Sequence, residues 1–170
     1  VGRMDITSYG LDGVDVELVA GFGNDSVVGG DGDEYVQDDL GDDTVSMGAG
    51  DDHVQAGAGS DDFDGGDGID TLDYDDMRTA PITIDVTAGT ATQDISGVVD
   101  TFSNCGRYVG TLGADTFLGG ADDDVFFTGG GNDYIDGGAG DGDWAAWTFG
   151  WSFGLIIDLD AGTVTSRWFN

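Results

Sequence analysis

Lysine is missing altogether, and arginine occurs only four times, at Arg3, Arg78, Arg107 and Arg167. Set against 35 Asp and Glu residues, this leaves a formal net charge of −31 over 170 residues. Direct contact with nucleic acid or an anionic membrane needs a basic patch, and four scattered arginines do not make one. Self-repulsion on this scale opposes any compact state, so without counter-ions the chain lies near the composition of disordered proteins. Cysteine is nearly absent too. Cys105 stands alone, which excludes an intrachain disulfide and reads as a small buried apolar residue. The single histidine, His53, cannot build a zinc site, which needs three or four ligands. No apolar run approaches the length of a membrane span, and no amphipathic helix of useful length is visible. Val1 to Gly10 has neither the basic n-region nor the apolar h-region of a cleavable signal peptide. The first residue is not Met, which leads us to expect a fragment of something longer. The length suits one domain or two small ones.

What the chain does have is glycine, 33 residues of it, and a period. Read in nines from Ala20 to Asp73 it gives AGFGNDSVV, GGDGDEYVQ, DDLGDDTVS, MGAGDDHVQ, AGAGSDDFD and GGDGIDTLD. Position 4 is Gly23, Gly32, Gly41, Gly50, Gly59 and Gly68. Position 6 is always acidic: Asp25, Glu34, Asp43, Asp52, Asp61 and Asp70. Position 8 is always large and apolar: Val27, Val36, Val45, Val54, Phe63 and Leu72. One such unit carries a single inward anchor and cannot bury a core, but stacked copies can. The glycines at positions 2 and 4 permit a loop with unusual backbone angles and close approach of neighbouring backbones. In such a loop carbonyls turn inward, toward a cation. The loop backbone expected to do this comes from Gly21, Gly23, Gly30, Gly32, Gly41, Gly48, Gly50, Gly57, Gly59, Gly66 and Gly68, and later from Gly113, Gly120, Gly129 and Gly131.

The acid at position 6 decides the chemistry. Stacked strands lie about 4.8 Å apart, so identical acids on successive coils form a column of like charges. Each neighbouring pair repels by roughly 1 kcal/mol in water and roughly 3 to 4 kcal/mol at an effective dielectric of 20. Such a column needs a positive charge within it. Carboxylates and carbonyls without Cys or His make a hard-cation site, and flexible glycine-rich geometry favours Ca²⁺ over Mg²⁺.

The nonapeptide resembles the glycine-rich repeat of the RTX, or haemolysin-type calcium-binding, family. The resemblance implies an all-β fold: a right-handed parallel β-roll in which two nonapeptides make one turn and repeat n sits over repeat n+2. It places calcium between the loops of Asp25 and Asp43, Glu34 and Asp52, Asp43 and Asp61, and Asp52 and Asp70. Glu34 departs from the family Asp and is expected to distort its site. Asp39 stands where the third repeat should have its second Gly. The resemblance also implies an extracellular protein exported by type I secretion machinery, unfolded at low cytosolic calcium and closing outside the cell.

The nines stop after Asp73. Ile82 to Thr92, ITIDVTAGTAT, alternates apolar and polar residues around Ala88-Gly89 and predicts a β-hairpin; Gln93 to Tyr108 follows as loop or further strand. The repeats resume as GTLGADTFL, GGADDDVFF and TGGGNDYID, with a fourth unit from Gly137 that carries one extra residue. Position 6 is then Asp115, Asp124, Asp133 and Asp143, and the resemblance pairs Asp115 with Asp133 and Asp124 with Asp143. Leu155 to Thr165, LIIDLDAGTVT, echoes the earlier hairpin. The expected organisation is a degenerate cap over 1–19, a first array over 20–73, a hairpin segment over 74–109, a second array over 110–145, and a Trp-rich cap with a hairpin over 146–170. About six Ca²⁺ ions are expected.

Two other features carry little chemistry. Gly150-Trp151-Ser152-Phe153-Gly154 matches G-x-S-x-G, but that motif needs a following helix and an activating His, and LIIDLDAG reads as a strand. The module is therefore expected to be non-catalytic, any catalytic domain (protease, lipase or polysaccharide epimerase) lying elsewhere in a parent chain. Trp144, Trp147, Trp151 and Trp168 are expected to cap the roll; as an alternative they form a glycan-binding or adhesive end. Position 7 (Ser26, Tyr35, Thr44, His53, Asp62, Thr71) offers no repeated outward ligand face.

Overall fold

The computed structural model describes residues 5–7, 15–75, 79–94, 96–146 and 156–158. Among them are seventeen short strands and no helix. In chain order these are β1 (Asp5–Thr7), β2 (Glu17–Val19), β3 (Ser26–Val28), β4 (Tyr35–Gln37), β5 (Thr44–Ala49), β6 (His53–Gln55), β7 (Asp62–Asp67), β8 (Thr71–Asp73), β9 (Ile82–Asp85), β10 (Thr90–Gln93), β11 (Val99–Ser103), β12 (Arg107–Val109), β13 (Thr116–Leu118), β14 (Val125–Phe127), β15 (Tyr134–Asp136), β16 (Trp144–Ala146) and β17 (Ile156–Asp158). They form two sheets. One runs β1-β3-β5-β7-β11-β10-β9-β13-β15-β17 and the other β16-β14-β12-β8-β6-β4-β2.

Successive repeats alternate between the sheets, because each nonapeptide supplies one strand and one turn. Within a sheet the partners are parallel and 18 residues apart: Ser26 opposite Thr44, Thr44 opposite Asp62, Tyr35 opposite His53, His53 opposite Thr71. Two nonapeptides therefore make one turn, and the chain winds about seven turns of a β-solenoid. The expected all-β, parallel roll is the fold observed.

The core lies between the sheets and is made by position 8. Val27, Val36, Val45, Val54, Phe63 and Leu72 are all buried, as are Phe117, Phe126 and Ile135 in the later repeats. Their flanking residues point outward, as the two-residue period of a strand requires. Each anchor meets the equivalent anchor one coil away, so the core is a continuous stack.

The predicted hairpin over 82–92 forms, as β9 and β10, with Ala91 opposite Ile84. Sequence left β11 open between loop and strand; it pairs antiparallel with β10 and parallel with β7. The hairpin is thus sewn into the first sheet, and β9 passes the sheet on, in parallel, to β13. The second sheet crosses the same level with β12 alone, parallel to both β8 and β14. Both sheets run unbroken from the first set of repeats to the second. An aromatic chain crosses with them: Phe102 to Tyr108 at 5.4 Å, Tyr108 to Phe126 at 5.7 Å, and Phe126 to Phe117 at 5.3 Å between ring centres.

Of the segment expected to cap the start, β1 pairs with β3 and β2 with β4. Of the later hairpin, only β17 falls within the described residues, paired in parallel with β15. The G-x-S-x-G segment, Trp147, Trp151 and Trp168 lie outside them. Trp144 is exposed on β16 and meets Phe127 edge-on at 6.1 Å.

Candidate metal centre

The position-6 acids stack in two columns, one along each edge of the roll. Every pair expected from sequence is brought together by one repeated contact. The backbone N–H of one acid donates to Oδ1 of the acid one coil on: Asp25 to Asp43 at 2.5 Å, Asp43 to Asp61 at 2.9 Å, Glu34 to Asp52 at 2.6 Å and Asp52 to Asp70 at 2.9 Å. After the join the contact resumes, Asp115 to Asp133 at 3.0 Å and Asp124 to Asp143 at 2.9 Å. The last pair spans 19 residues, so the extra residue is absorbed in the loop without losing the register.

The loop glycines make this stacking possible. The backbone carbonyl of Gly23 lies where a Cβ on Gly41 would be, 1.7 Å away, and Gly41 has φ of +148°. The same crowding places Gly50 over Gly32, Gly59 over Gly41, Gly68 over Gly50, Gly48 over Gly30, Gly66 over Gly48 and Gly131 over Gly113. Gly129 stacks on Thr111, Gly57 packs on the Asp38 and Asp39 carbonyls, and the Gly21 carbonyl accepts from Leu40 N–H at 3.2 Å. The chain departs from glycine at Asp39 without losing the turn: Ala58 N–H still donates to the Asp39 carbonyl at 2.8 Å.

The second carboxylate oxygen separates the sites into two kinds. In Asp43, Asp52, Asp61, Asp70 and Asp133 the Oδ2 atom is buried and has no hydrogen-bond partner, and so is Oε1 of Glu34. A buried unpaired carboxylate oxygen is costly, so five aspartates and a glutamate left in that condition mark places built for a positive charge. Glu34 uses its extra length to turn Oε2 back onto Gly30 N–H at 2.8 Å. Asp115 differs: Oδ2 accepts from Thr111 N–H at 2.7 Å, and Oδ1 accepts from the Thr111 hydroxyl at 2.9 Å and from Ile82 N–H at 3.0 Å. Asp124 likewise takes Gly120 N–H on Oδ2 at 2.7 Å.

Burial raises the pKa values of these carboxyls. Asp52 is pushed up to about 6 by burial and by the charges of Asp70, Glu34 and Asp33. Asp61 reaches about 6 through burial and the charges of Asp100 and Asp43. Asp115 also reaches about 6 through burial, although its hydrogen bonds to Ile82 and Thr111 pull the other way. Asp70, Asp124 and Asp133 move in the same direction, chiefly by burial. Each carboxylate is therefore poorly solvated as an anion and gains from a cation placed beside it.

Sequence reasoning missed two acids at these columns. Asp100 continues the first column beyond the repeats: Asp61 N–H donates to its Oδ1 at 3.1 Å, and the Tyr74 hydroxyl donates to its Oδ2 at 2.8 Å. Asp100-Thr101-Phe102 repeats the Asp115-Thr116-Phe117 spelling, which was the available signal. Asp38, at position 1 of the third repeat, is the other acid; it is buried and raised to about 9 by burial, by its contact with Asp43 and by the charge of Asp61. Among the described residues the second column has no acid at this level. Gly106 stands over Asp70, its N–H bonded to the Asp70 carbonyl at 3.1 Å. His53, on the outer face of the second sheet, stacks on Tyr35 at 5.1 Å and pairs with Asp73 at 3.0 Å. Cys105 is partly buried and burial pushes its thiol up to about 12, as suits an unreactive packing residue.

Oxygen-only donors, paired carboxylates on successive coils and turns that bring carbonyls together form a donor set for a hard divalent cation. A family profile for the RTX calcium-binding nonapeptide repeat matches residues 9–45, 38–72 and 109–143, more than half of the chain. The chain belongs to the RTX calcium-binding nonapeptide repeat family. No curated protein matches it. The RTX assignment agrees with the unpaired carboxylate oxygens, so the residues present fit Ca²⁺. The RTX repeat is a non-catalytic calcium-binding module.

Proposed function

We propose that this RTX chain is a calcium-dependent folding module of a secreted bacterial protein, exported by type I secretion machinery. The position-6 acids Asp25, Glu34, Asp43, Asp52, Asp61, Asp70, Asp115, Asp124, Asp133 and Asp143 are the proposed ligands, completed by loop carbonyls, with about six ions in all. The observation that carries the reading is the set of buried carboxylate oxygens without partners, stacked coil on coil. With no positive charge between them these columns oppose closure, and with one they drive it. Sites of the extracellular class bind at about 10⁻⁴ to 10⁻³ M. At tenfold to a hundredfold excess each filled site contributes about 1.4 to 2.7 kcal/mol, so several together match the stability of a typical domain. Low calcium keeps the chain unfolded and exportable, and external calcium closes it.

A far-UV circular dichroism titration tests this, from chelator to about 10 mM calcium. The expected result is a cooperative coil-to-β transition that Mg²⁺ at equal ionic strength does not reproduce. A roll already closed in chelator and indifferent to calcium overturns the reading.

A second reading is favoured by one surface. On the outer face of the second sheet His53, Asp73, Arg107, Phe127 and Trp144 line an open groove, a mixture of aromatic and polar groups that suits a glycan. A glycan array in calcium, with Trp144→Ala as control, tests it; loss of a specific signal in the variant supports it, and no signal removes it.

A further inference from the structure

Asp38 occupies position 1, whose side chains face the interior. In its own column the neighbours one coil away are Ala20 and Ala56, both buried and both too small to fill the space beside a carboxylate. Position 1 addresses the column acid at its own level of the roll. Tyr74, one coil beyond Ala56, reaches Asp100 in this way, and Asp38 meets Asp43. Only 3% of Asp38 is exposed. Its Oδ2 receives Gly57 N–H at 3.3 Å, which fixes the carboxylate, while its Oδ1 is buried without a hydrogen-bond partner. Oδ2 of Asp43 and of Asp61 are in the same condition. One oxygen from each of Asp38, Asp43 and Asp61 lies within 4.8 Å of the others. Among the described residues no other group of three acids converges in this way.

Resting on the calcium reading above, we propose that Asp38 is a third carboxylate ligand of the cation between Asp43 and Asp61, and that this is the tightest site in the roll. The other stacked pairs offer two carboxylates to one ion. Here three face it, and the added carboxylate is held in place by Gly57 N–H. Affinity of oxygen-ligand calcium sites rises with ligand charge count and rigidity. Three negative charges also balance a trivalent ion, so this site prefers a lanthanide over Ca²⁺ more strongly than the others do.

The test is a calorimetric calcium titration of the full chain, stripped with chelator, compared with Asp38→Asn and with Asp38→Ala, which restores the alanine of the neighbouring coils. Circular dichroism at 10 mM calcium is recorded alongside. The wild-type chain is expected to show one site at least about tenfold tighter than the rest, and Tb³⁺ is expected to displace calcium from that site first. Both variants lose the tight site, keep the weaker ones and reach the wild-type β signal at saturating calcium. A tight site that survives in the variants overturns the proposal, because Asp38 then holds only a proton. Uniform wild-type sites overturn it without any substitution, so the test stands even if a variant does not fold. If the wild-type chain binds no calcium at all, the proposed function falls as well, and that outcome is distinct from uniform binding.

Discussion

At the scale of the residue, each column acid does two jobs with two oxygens. Oδ1 of Asp70 accepts the N–H of Asp52, a structural bond, while Oδ2 of Asp70 has no partner. Asp115 spends both oxygens on hydrogen bonds, to Thr111 and Ile82. The same substitution should therefore behave oppositely at the two places. Asp70→Asn relieves repulsion in the column and keeps an Oδ1 acceptor. In chelator it is expected to leave the chain no less ordered than the wild type, while the calcium midpoint rises several-fold. Asp115→Asn exchanges a charged acceptor of three hydrogen bonds for a neutral one, and is expected to lower stability in saturating calcium by about 1 to 3 kcal/mol. Urea melts at 10 mM calcium, together with the calcium midpoint by circular dichroism, separate the two. Equal calcium shifts at both positions would show that the oxygen left unpaired is not what distinguishes them. The period of nine made Asp70 and Asp115 legible as column acids. It did not reveal that a threonine in the glycine position, Thr111, satisfies one of them. Nor did it reveal Asp38, because position 1 varies among Ala, Gly, Asp, Met and Thr and carries no period.

At the scale of the element, a strand of three residues is held by what its turn allows. Gly41 has a positive φ and the Gly23 carbonyl in the place of a side chain. The obstacle is backbone, so it cannot swing aside. Gly41→Ala is expected to open the stack between these two loops and destabilise the roll at every calcium concentration, by more than about 1 kcal/mol, because neither the backbone angle nor the space admits a Cβ. Phe63→Ala removes a buried anchor and is expected to cost about 3 to 5 kcal/mol. Urea melts in saturating calcium check both, and a wild-type midpoint for Gly41→Ala would mean that the coils are not packed this closely. Strand identity was legible because position 8 repeats, and the hairpin of β9 and β10 was legible from its alternation. Where that hairpin goes was not. Its place between β7 and β13 depends on Phe102 aligning with Phe63 and Ile84 with Phe117, pairings between segments distant in sequence that no local pattern encodes. The order of the segments was legible; the two sheets that run through all of them were not.

At the scale of the whole molecule, the net charge of −31 makes protons and calcium rivals for the same oxygens. Consider the chain in chelator. Asp52, Asp61 and Asp115 titrate at about 6 in the roll, Asp38 at about 9, and the ordinary carboxyl value is 3.8. Between those values the folded chain binds more protons than the unfolded chain, so stability falls as pH rises. The penalty is complete above the folded values and disappears below 3.8. Without calcium, acidification from pH 8 to pH 4 is therefore expected to favour the roll, against the usual experience that acid unfolds proteins. With calcium the sign reverses. A proton on Asp52 or Asp61 displaces the ion, so more calcium is needed at pH 5 than at pH 7. The β signal by circular dichroism across this range, in chelator and in 10 mM calcium, should give two curves of opposite slope that converge at low pH. Parallel curves would mean that the ion binds away from the buried carboxylates. A chelator curve that rises with pH would mean that burial does not hold the Asp52, Asp61 and Asp115 carboxyls above their ordinary value in the roll.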